Sequence, residues 1–410
     1  MKQLLKNLDW KESVAVFMKV ALYIFPGAIL LVDHYSSAII VMGLICAILL
    51  VRRADFKTFP LAKGMTVVFS LWFVWALLQW PFSEKPLLEF AGLSKPLRFL
   101  MFLPLVMLFH KLKVGERFLM VSVIPWSIVM GFYSIAFALL HDTRVTTVGC
   151  YPITFGDLTV VLGSLSLLGV KWFRRNRLMA GVSLFAAVMG LTASILSETR
   201  GAWLFLPFVV IIAFHYFFSR HSLRKRVAIG GVAALLLTGV GFGVAPVRNG
   251  FERAIDESMQ YFQDEEMDTS SGLRILMWRQ AIENFKRSPW VGIGPESFYF
   301  ELEHEGGVRK FYHPHSSYFS ALSSGGIVGL AVLLCFWGYP LYVCLSGRMK
   351  NSELAVPGVL VVVLGFAVFG LTEDLFAKGI FVSFYVVMMA WLVSLEYADV
   401  EWGGKARDEV

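Results

Sequence analysis

The sequence predicts an all-α membrane protein of about twelve transmembrane helices, with one long, partly helical loop between the ninth and tenth. Three observations predict it. The 410 residues are 57% hydrophobic and only 16% charged, where a soluble domain carries about a quarter charged residues. The excess apolar residues fall in repeated blocks, each near the ~20 residues that cross a bilayer as a helix. The basic residues fall in every second connector between those blocks. With no water in hydrocarbon, each block must satisfy its own backbone polar groups, which requires helices. The short alternating segments of an outer-membrane barrel are absent from the sequence.

Taken in order, the spans fall at roughly 13–31, 36–51, 64–80, 97–110, 118–140, 157–173, 178–196, 202–218, 227–245, 317–339, 354–371 and 379–396. The first follows Lys2, Lys6 and Lys11, as a signal peptide would. It runs past Gly27 and Ala28 without a small-x-small cleavage site and meets a second block at once, so it reads as a retained helix. Lysine and arginine cluster at 2–11, 52–63, 111–117, 171–177, 220–226, 348–350 and 405–407, which together hold more than half of the 37 in the chain. The intervening short connectors hold only Lys85, Lys95, Arg98, Arg144, Arg200 and Lys378. The positive-inside rule then puts both termini in the cytoplasm, and a missed span would break the alternation partway along. The net charge of +7 therefore belongs to cytoplasmic turns, not to a nucleic-acid surface. Cys46, Cys335 and Cys344 lie inside apolar blocks and Cys150 in an outer loop, a pattern that suggests neither a disulfide framework nor a metal knuckle. The units are residues 1–245 with spans 1–9, the loop 246–316, residues 317–396 with spans 10–12, and a charged tail 397–410.

The long connector is too long to be a simple turn, and such loops carry structure or function. Residues 251–266 read as an amphipathic helix with Phe251, Ile255 and Phe262 on one side. A second helix begins at a cap, Ser270 or Ser271, takes apolar positions from Leu273, Ile275, Leu276, Ile282 and Phe285, and ends before Pro289. Eight basic and twelve acidic residues give the segment a formal charge of −4. Any anion site in it must therefore come from particular arginines held in place.

Three residues stand out for chemistry. Arg200 lies in a very short outer turn, Ser197-Glu198-Thr199-Arg200-Gly201, where a guanidinium is costly without an anion or partner. Its planar fork suits phosphate oxygens, and Gly201 would let a bulky head group approach. Pairing with Glu198 or with lipid head groups is the plain alternative. His315, in His313-Pro314-His315-Ser316-Ser317-Tyr318, sits where the loop re-enters the membrane. It can take a proton from a sugar hydroxyl or only orient that hydroxyl; the plain alternative is a capping or interfacial histidine, with Tyr318 a belt aromatic. Pro314 pushes the competitor His313 into extended backbone, and His304 sits among glutamates as a solvated loop residue. Arg274, near the start of the second loop helix, could add a phosphate contact with help from that helix's N–H groups, or stand solvated like Arg279 and Arg287.

The absences also bear on function. There is no P-loop, no dinucleotide fingerprint, no His-Glu-x-x-His and no Cys-x-x-Cys. No Asp-x-Asp pair lies in an outer loop, and Glu301-Leu302-Glu303 is a weak substitute. No metal and no cofactor is expected, and the donor should be lipid-linked rather than a nucleotide sugar.

These residues resemble those of a known family, the bacterial O-antigen ligases of the WaaL type, which share a superfamily with O-antigen polymerases and protein O-oligosaccharyltransferases. Arg200, three residues, then Leu204 is similar to that family's Arg-x3-Leu motif. His315-Ser316, nine residues, Gly326, two residues and Gly329 resembles its His-[Asn/Ser/Gln]-x9-Gly-x2-[Gly/Thr/Tyr] motif. Arg274, in Gly272-Leu273-Arg274-Ile275, looks like the family's loop arginine. Span count and the place of the long loop agree over nearly the whole chain. The resemblance implies a GT-C-like fold in the bacterial inner membrane, with an active site facing the periplasm. It implies transfer of a finished polysaccharide from undecaprenyl diphosphate to a sugar of lipid A–core, without metal or ATP and with inversion. Arg200 and Arg274 would hold the diphosphate, and His315 would act on the acceptor.

Rival readings stay open. An O-antigen polymerase would use the same donor, with a growing chain as acceptor. A protein O-oligosaccharyltransferase usually carries an added soluble portion, whereas only about 14 residues follow the last span here. A polysaccharide transporter would show paired repeats or broken helices at the midplane, and neither is visible.

Overall fold

The computed structural model describes residues 10–52, 59–80, 92–218, 243, 245–264, 269–295, 297–304 and 307–397. They form α1 (Trp10–Leu31), α2 (Tyr35–Leu50), α3 (Pro60–Gln79), α4 (Phe102–Lys111), α5 (Glu116–Leu140), α6 (Pro152–Trp172), α7 (Arg177–Leu196) and α8 (Leu206–Phe218). The polar segment follows as α9 (Ala245–Asp264), α10 (Ser270–Arg287) and the strands β1 (Phe300–His304) and β2 (Gly307–Phe311). The chain closes with α11 (Ser317–Leu345), α12 (Ala355–Phe369) and α13 (Gly379–Ser394). Short turns of helix precede α4, at Ser94–Leu97 and Arg98–Met101, and α8, at Arg200–Trp203.

Eight of the described helices are long and apolar enough to cross a membrane, and α2 and α12 are shorter apolar ones. The chain is thus an all-α, multi-pass membrane protein in its overall class. The span expected at 227–245 lies almost wholly outside the described residues. The helices differ in what they face. α6 and α13 are buried over most of their length, whereas Ile48, Leu139, Leu140 and Leu178 on outer helices stand exposed. A bundle that is apolar outside as well as inside fits lipid rather than water as its solvent. Hydroxyls inside the helices bond the carbonyl one turn back, as Ser164 does to Val160 O (2.7 Å) and Ser166 to Leu162 O (2.8 Å). Such bonds satisfy these hydroxyls within their own helix in apolar surroundings.

The connectors that the charge alternation assigned to one side do gather at one end. Thr147 donates to Leu30 O, Arg144 Nε to Ser197 O (3.0 Å) and Thr199 to Pro152 O (3.0 Å). At the opposite end Trp172 Nε1 donates to Glu116 (2.7 Å), and Asn351 N to Glu396 (2.9 Å).

The polar segment docks on the first of these ends. Thr269, not Ser270 or Ser271, caps α10 by accepting from Gly272 N (3.0 Å). Its buried face is Gly272, Met277, Ala281 and Asn284, packed with Phe298 and Phe319; the expected core position Ile282 is exposed, as is Ile255 on α9. The β1–β2 hairpin is not evident from the sequence pattern. It sets Glu301 opposite Lys310, and Tyr299 donates to Glu301, so that glutamate is engaged within the hairpin.

The anchor is a break in α11. Gly326 has φ +60° and ψ −155°, a conformation that disfavours any side chain. The break frees backbone groups that residues 289–294 take up. Ile327 N donates to Pro289 O (2.9 Å), Ile293 N to Ser323 O (3.0 Å) and Gly294 N to Ser324 O (3.0 Å). From α3, Gln79 Nε2 donates to Val291 O (2.5 Å) and Ser324 O (2.7 Å). The two motif glycines are therefore structural. A Cβ on Gly326 would lie 2.5 Å from the Trp290 carbonyl carbon, and one on Gly329 2.8 Å from Ala321 O.

Candidate active site

Two constellations meet at this end of the bundle. The first is a cluster of arginines. Arg144, Arg200, Arg253 and Arg274 line one cavity of about 120 Å³, together with Glu198, Ser270 and Thr372. Arg200 NH2 lies 3.6 Å from Glu257 Oε2, and its NH1 donates to Gly250 O (3.3 Å). Glu257 is also held by Ser271 Oγ (2.7 Å). The partner of Arg200 is thus Glu257 on α9, not the neighbouring Glu198. Arg144 is braced on the Ser197 and Glu198 carbonyls. The Arg274 side chain makes no hydrogen bond or ion pair among the described residues. Burial pushes its proton affinity down, and Arg200 and Arg144 push it further against the pull of Glu373. An array of cations that repel one another, one of them with no side-chain hydrogen bond or ion pair among the described residues, is arranged for an added anion. Gly201 does not open this cavity to a head group as expected. A Cβ there would meet Thr372 Oγ1 at 2.1 Å, so the glycine lets the 370–378 connector approach Arg200.

The second constellation is built on that connector. His315 does not lie on α11 but two residues before it, with φ +50°, a strained region for a non-glycine residue that costs about 1–2 kcal/mol. The following serines hold it there. Ser316 Oγ donates to Gly370 O (3.1 Å), Ser317 Oγ to Glu373 O (3.1 Å), and Ser317 N to Gly370 O (2.8 Å). His315 Nδ1 then lies 3.4 Å from Glu373 Oε1. That is long for a hydrogen bond, so the coupling is largely electrostatic. Glu373 is fully buried, with Lys378 Nζ 2.7 Å from Oε2 and Asp374 N donating to Oε1 (2.9 Å). Burial alone would raise its carboxyl, but His315 and Lys378 outweigh burial and hold it at about 2. Tyr318 is no belt aromatic; it donates to Ala367 O (2.8 Å).

His313 packs edge-on against His315, ring centroids 4.4 Å apart. Burial, and then His315, lower it to about 4, so its imidazole is neutral near pH 7. Potential ligand atoms of His313, His315 and Glu373 lie within 4.8 Å of one another. The Lys378 ammonium already sits on that carboxylate, and a divalent cation would have to share it with a positive neighbour. The donor set does not favour a metal.

Thr372 lines the arginine cavity, and Glu373, the next residue, faces His315. One stretch of chain thus joins a cationic cavity to a histidine–carboxylate pair.

Comparison with known proteins bears on this geometry. Residues 185–334 match the family model described as O-Antigen ligase. This region matches the O-antigen ligase family. The matched stretch contains Arg200, Arg274, His315, Gly326 and Gly329, which carried the resemblance in the sequence. The chain is also similar to an uncharacterized protein of Haemophilus influenzae, 23% identical over 365 residues that cover 83% of this chain and 88% of that one. Arg144, Glu373 and Lys378 lie outside the stretch matched by the O-antigen ligase model. Sequence reasoning counted Arg144 and Lys378 only as rare basic residues in outer connectors and passed over Glu373. Their signal was present in outline: a charged residue in a short outer turn needs a partner, and Thr372-Glu373-Asp374 with Lys378 is such a turn.

Proposed function

We propose that this protein is an O-antigen ligase, a glycosyltransferase that moves polysaccharide from undecaprenyl diphosphate to a sugar of lipid A–core at the periplasmic face of the bacterial inner membrane. The observation that supports it most is the joining of the arginine cavity to the His315–Glu373 pair by the 372–373 step. Arg200 and Arg274, with Arg144 beside them, hold the diphosphate and offset the charge that develops on it as its bond to the sugar breaks. The acceptor hydroxyl oxygen forms the new bond to the same anomeric carbon from the opposite face, with inversion. Its proton passes to His315, which Glu373 orients and whose imidazolium Glu373 then stabilises. The lipid diphosphate departs as the leaving group, with no metal or nucleotide in the scheme.

Arg200→Ala and His315→Ala should each abolish transfer while the protein stays in the membrane, assayed as polymer on lipid A–core in a strain lacking the native gene. Near-normal transfer by both variants would sink the assignment of these residues.

A further inference from the structure

A second cavity, of about 270 Å³, opens at the same end of the bundle, between the α1–α2 turn, the 94–98 turn and the start of α13. Asp33, His34, Ser36, Ser37, Ser94, Lys95 and Arg98 make its lining mainly polar, with Ile29 and Ile380 at its edge. Arg98 commands it. Its NH1 donates to Gly379 O (2.8 Å) and Ser383 Oγ (2.7 Å), and its NH2 to Ser37 Oγ (2.8 Å). All three acceptors are neutral. Among the described residues no carboxylate pairs with Arg98, whereas the half-buried Arg200 has Glu257 and Lys378 has Glu373. The one acid in the lining, Asp33, is largely exposed and turned to His34 at 3.3 Å. A guanidinium offers five N–H groups, so two remain after these bonds. A cation held in an apolar bundle without a counter-charge is costly, and a bound anion removes that cost.

Lys95 gives the cavity a direction. It also lines the neighbouring cavity formed by Trp72, Trp75, His313, Ser317 and Asp374, beside the His315 turn. Arg144, Arg200 and Arg274 line neither.

We propose that the Arg98 cavity binds a phosphate group on the head of the membrane-anchored acceptor glycolipid, and so places the acceptor sugar past Lys95 toward His315. Arg98 and Lys95 supply the charge, and Ser94 a hydroxyl donor. This rests on the transferase reading for the word acceptor, but the phosphate site itself does not.

The test uses the full-length protein in nanodiscs, with affinity measured for bisphosphorylated lipid A, the same lipid after phosphatase treatment, phosphatidylglycerol and inorganic phosphate. We expect the phosphorylated lipid A to bind at least about tenfold tighter than the dephosphorylated form, since one charge-assisted contact is worth that much. Arg98→Gln should erase the difference and Arg98→Lys keep most of it. Lys95→Gln should raise the acceptor KM severalfold and leave kcat within about twofold, with the melting temperature of the variant measured alongside. Equal binding of the two lipid A forms by the unaltered protein would overturn the phosphate site. Equal binding of phosphatidylglycerol, or displacement by inorganic phosphate at matched concentration, would overturn the assignment to the acceptor. If the protein fails to transfer polymer at all while the lipid A difference persists, the transferase reading falls and the phosphate site stands.

Discussion

Replacing Glu373 by Gln keeps the shape of the side chain and removes its charge. The carboxylate is fully buried and bonded to Lys378 at 2.7 Å. Its carboxyl falls from the ordinary 4.5 to about 2, burial opposing and His315 and Lys378 prevailing. At ~1.4 kcal/mol per tenfold change this amounts to ~3 kcal/mol, close to the 3–5 kcal/mol that breaking a buried ion pair usually costs. The sign follows from linkage. A depressed folded value means stability that is complete above about pH 4.5 and lost as pH falls from there toward 2. At neutral pH the Glu373→Gln variant should therefore lose ~3 kcal/mol, read as a fall in the detergent melting temperature. It should also lose about 10²-fold in transfer rate, because His315 loses the group that orients it and stabilises its protonated form. Adding Lys378→Met separates the two effects. The double variant removes the stranded ammonium and should regain most of the stability without regaining transfer, assayed in proteoliposomes with undecaprenyl diphosphate-linked polymer and lipid A–core. Full recovery of transfer in the double variant would show that Glu373 serves only the fold and would refute its part in the chemistry.

The remaining expectations concern other links of the same site. Gly326→Ala puts a Cβ 2.5 Å from the Trp290 backbone at φ +60°, so it should cost at least ~2 kcal/mol and expose residues 289–294 to faster amide exchange, measured by mass spectrometry; unchanged exchange would mean the helix break is not the anchor. Arg144→Ala should lower transfer about tenfold with the donor KM rising, since it lines the arginine cavity and one charged hydrogen bond is worth ~1.5–3 kcal/mol; a normal donor KM would confine Arg144 to bracing the 197–198 turn. Burial holds His313 at about 4 rather than 6.5, so its contribution is complete above about pH 6.5 and is lost as pH falls toward 4. Melting temperature should accordingly drop over that window, and His313→Gln should flatten the drop. Transfer should survive exhaustive EDTA treatment, because Lys378 occupies the carboxylate a metal would need; loss of activity restored by one divalent cation would contradict this.

Much of this architecture is legible in the chain because its cause is local. An apolar block must become a helix in lipid, and basic residues mark the turns on one side, so the grouping of connectors at two ends follows from the order of residues alone. Arg200, Arg274 and His315 stand out because a charge or a titratable group at a membrane surface demands a reason. What the sequence hides depends on long-range contacts. Arg200 pairs with Glu257, 57 residues on, and not with Glu198 two residues before it, although both glutamates border the arginines. Gly201 looks like room for a ligand and is room for Thr372. Glu373 escapes notice because nothing near it in sequence announces that a loop some 60 residues earlier will bring a histidine against it. The hairpin at 300–311 is hidden because five-residue strands bordered by charge resemble solvated loop.

The most direct test of the central claim is a gel of lipopolysaccharide from a strain lacking this gene, with undecaprenyl-linked glycans extracted in parallel. Bare lipid A–core together with long polymer still on undecaprenyl diphosphate is the expected result, reversed by the unaltered gene and not by His315→Ala. Core carrying a single repeat unit would instead make the protein a polymerase, and unchanged lipopolysaccharide would contradict the proposed function outright.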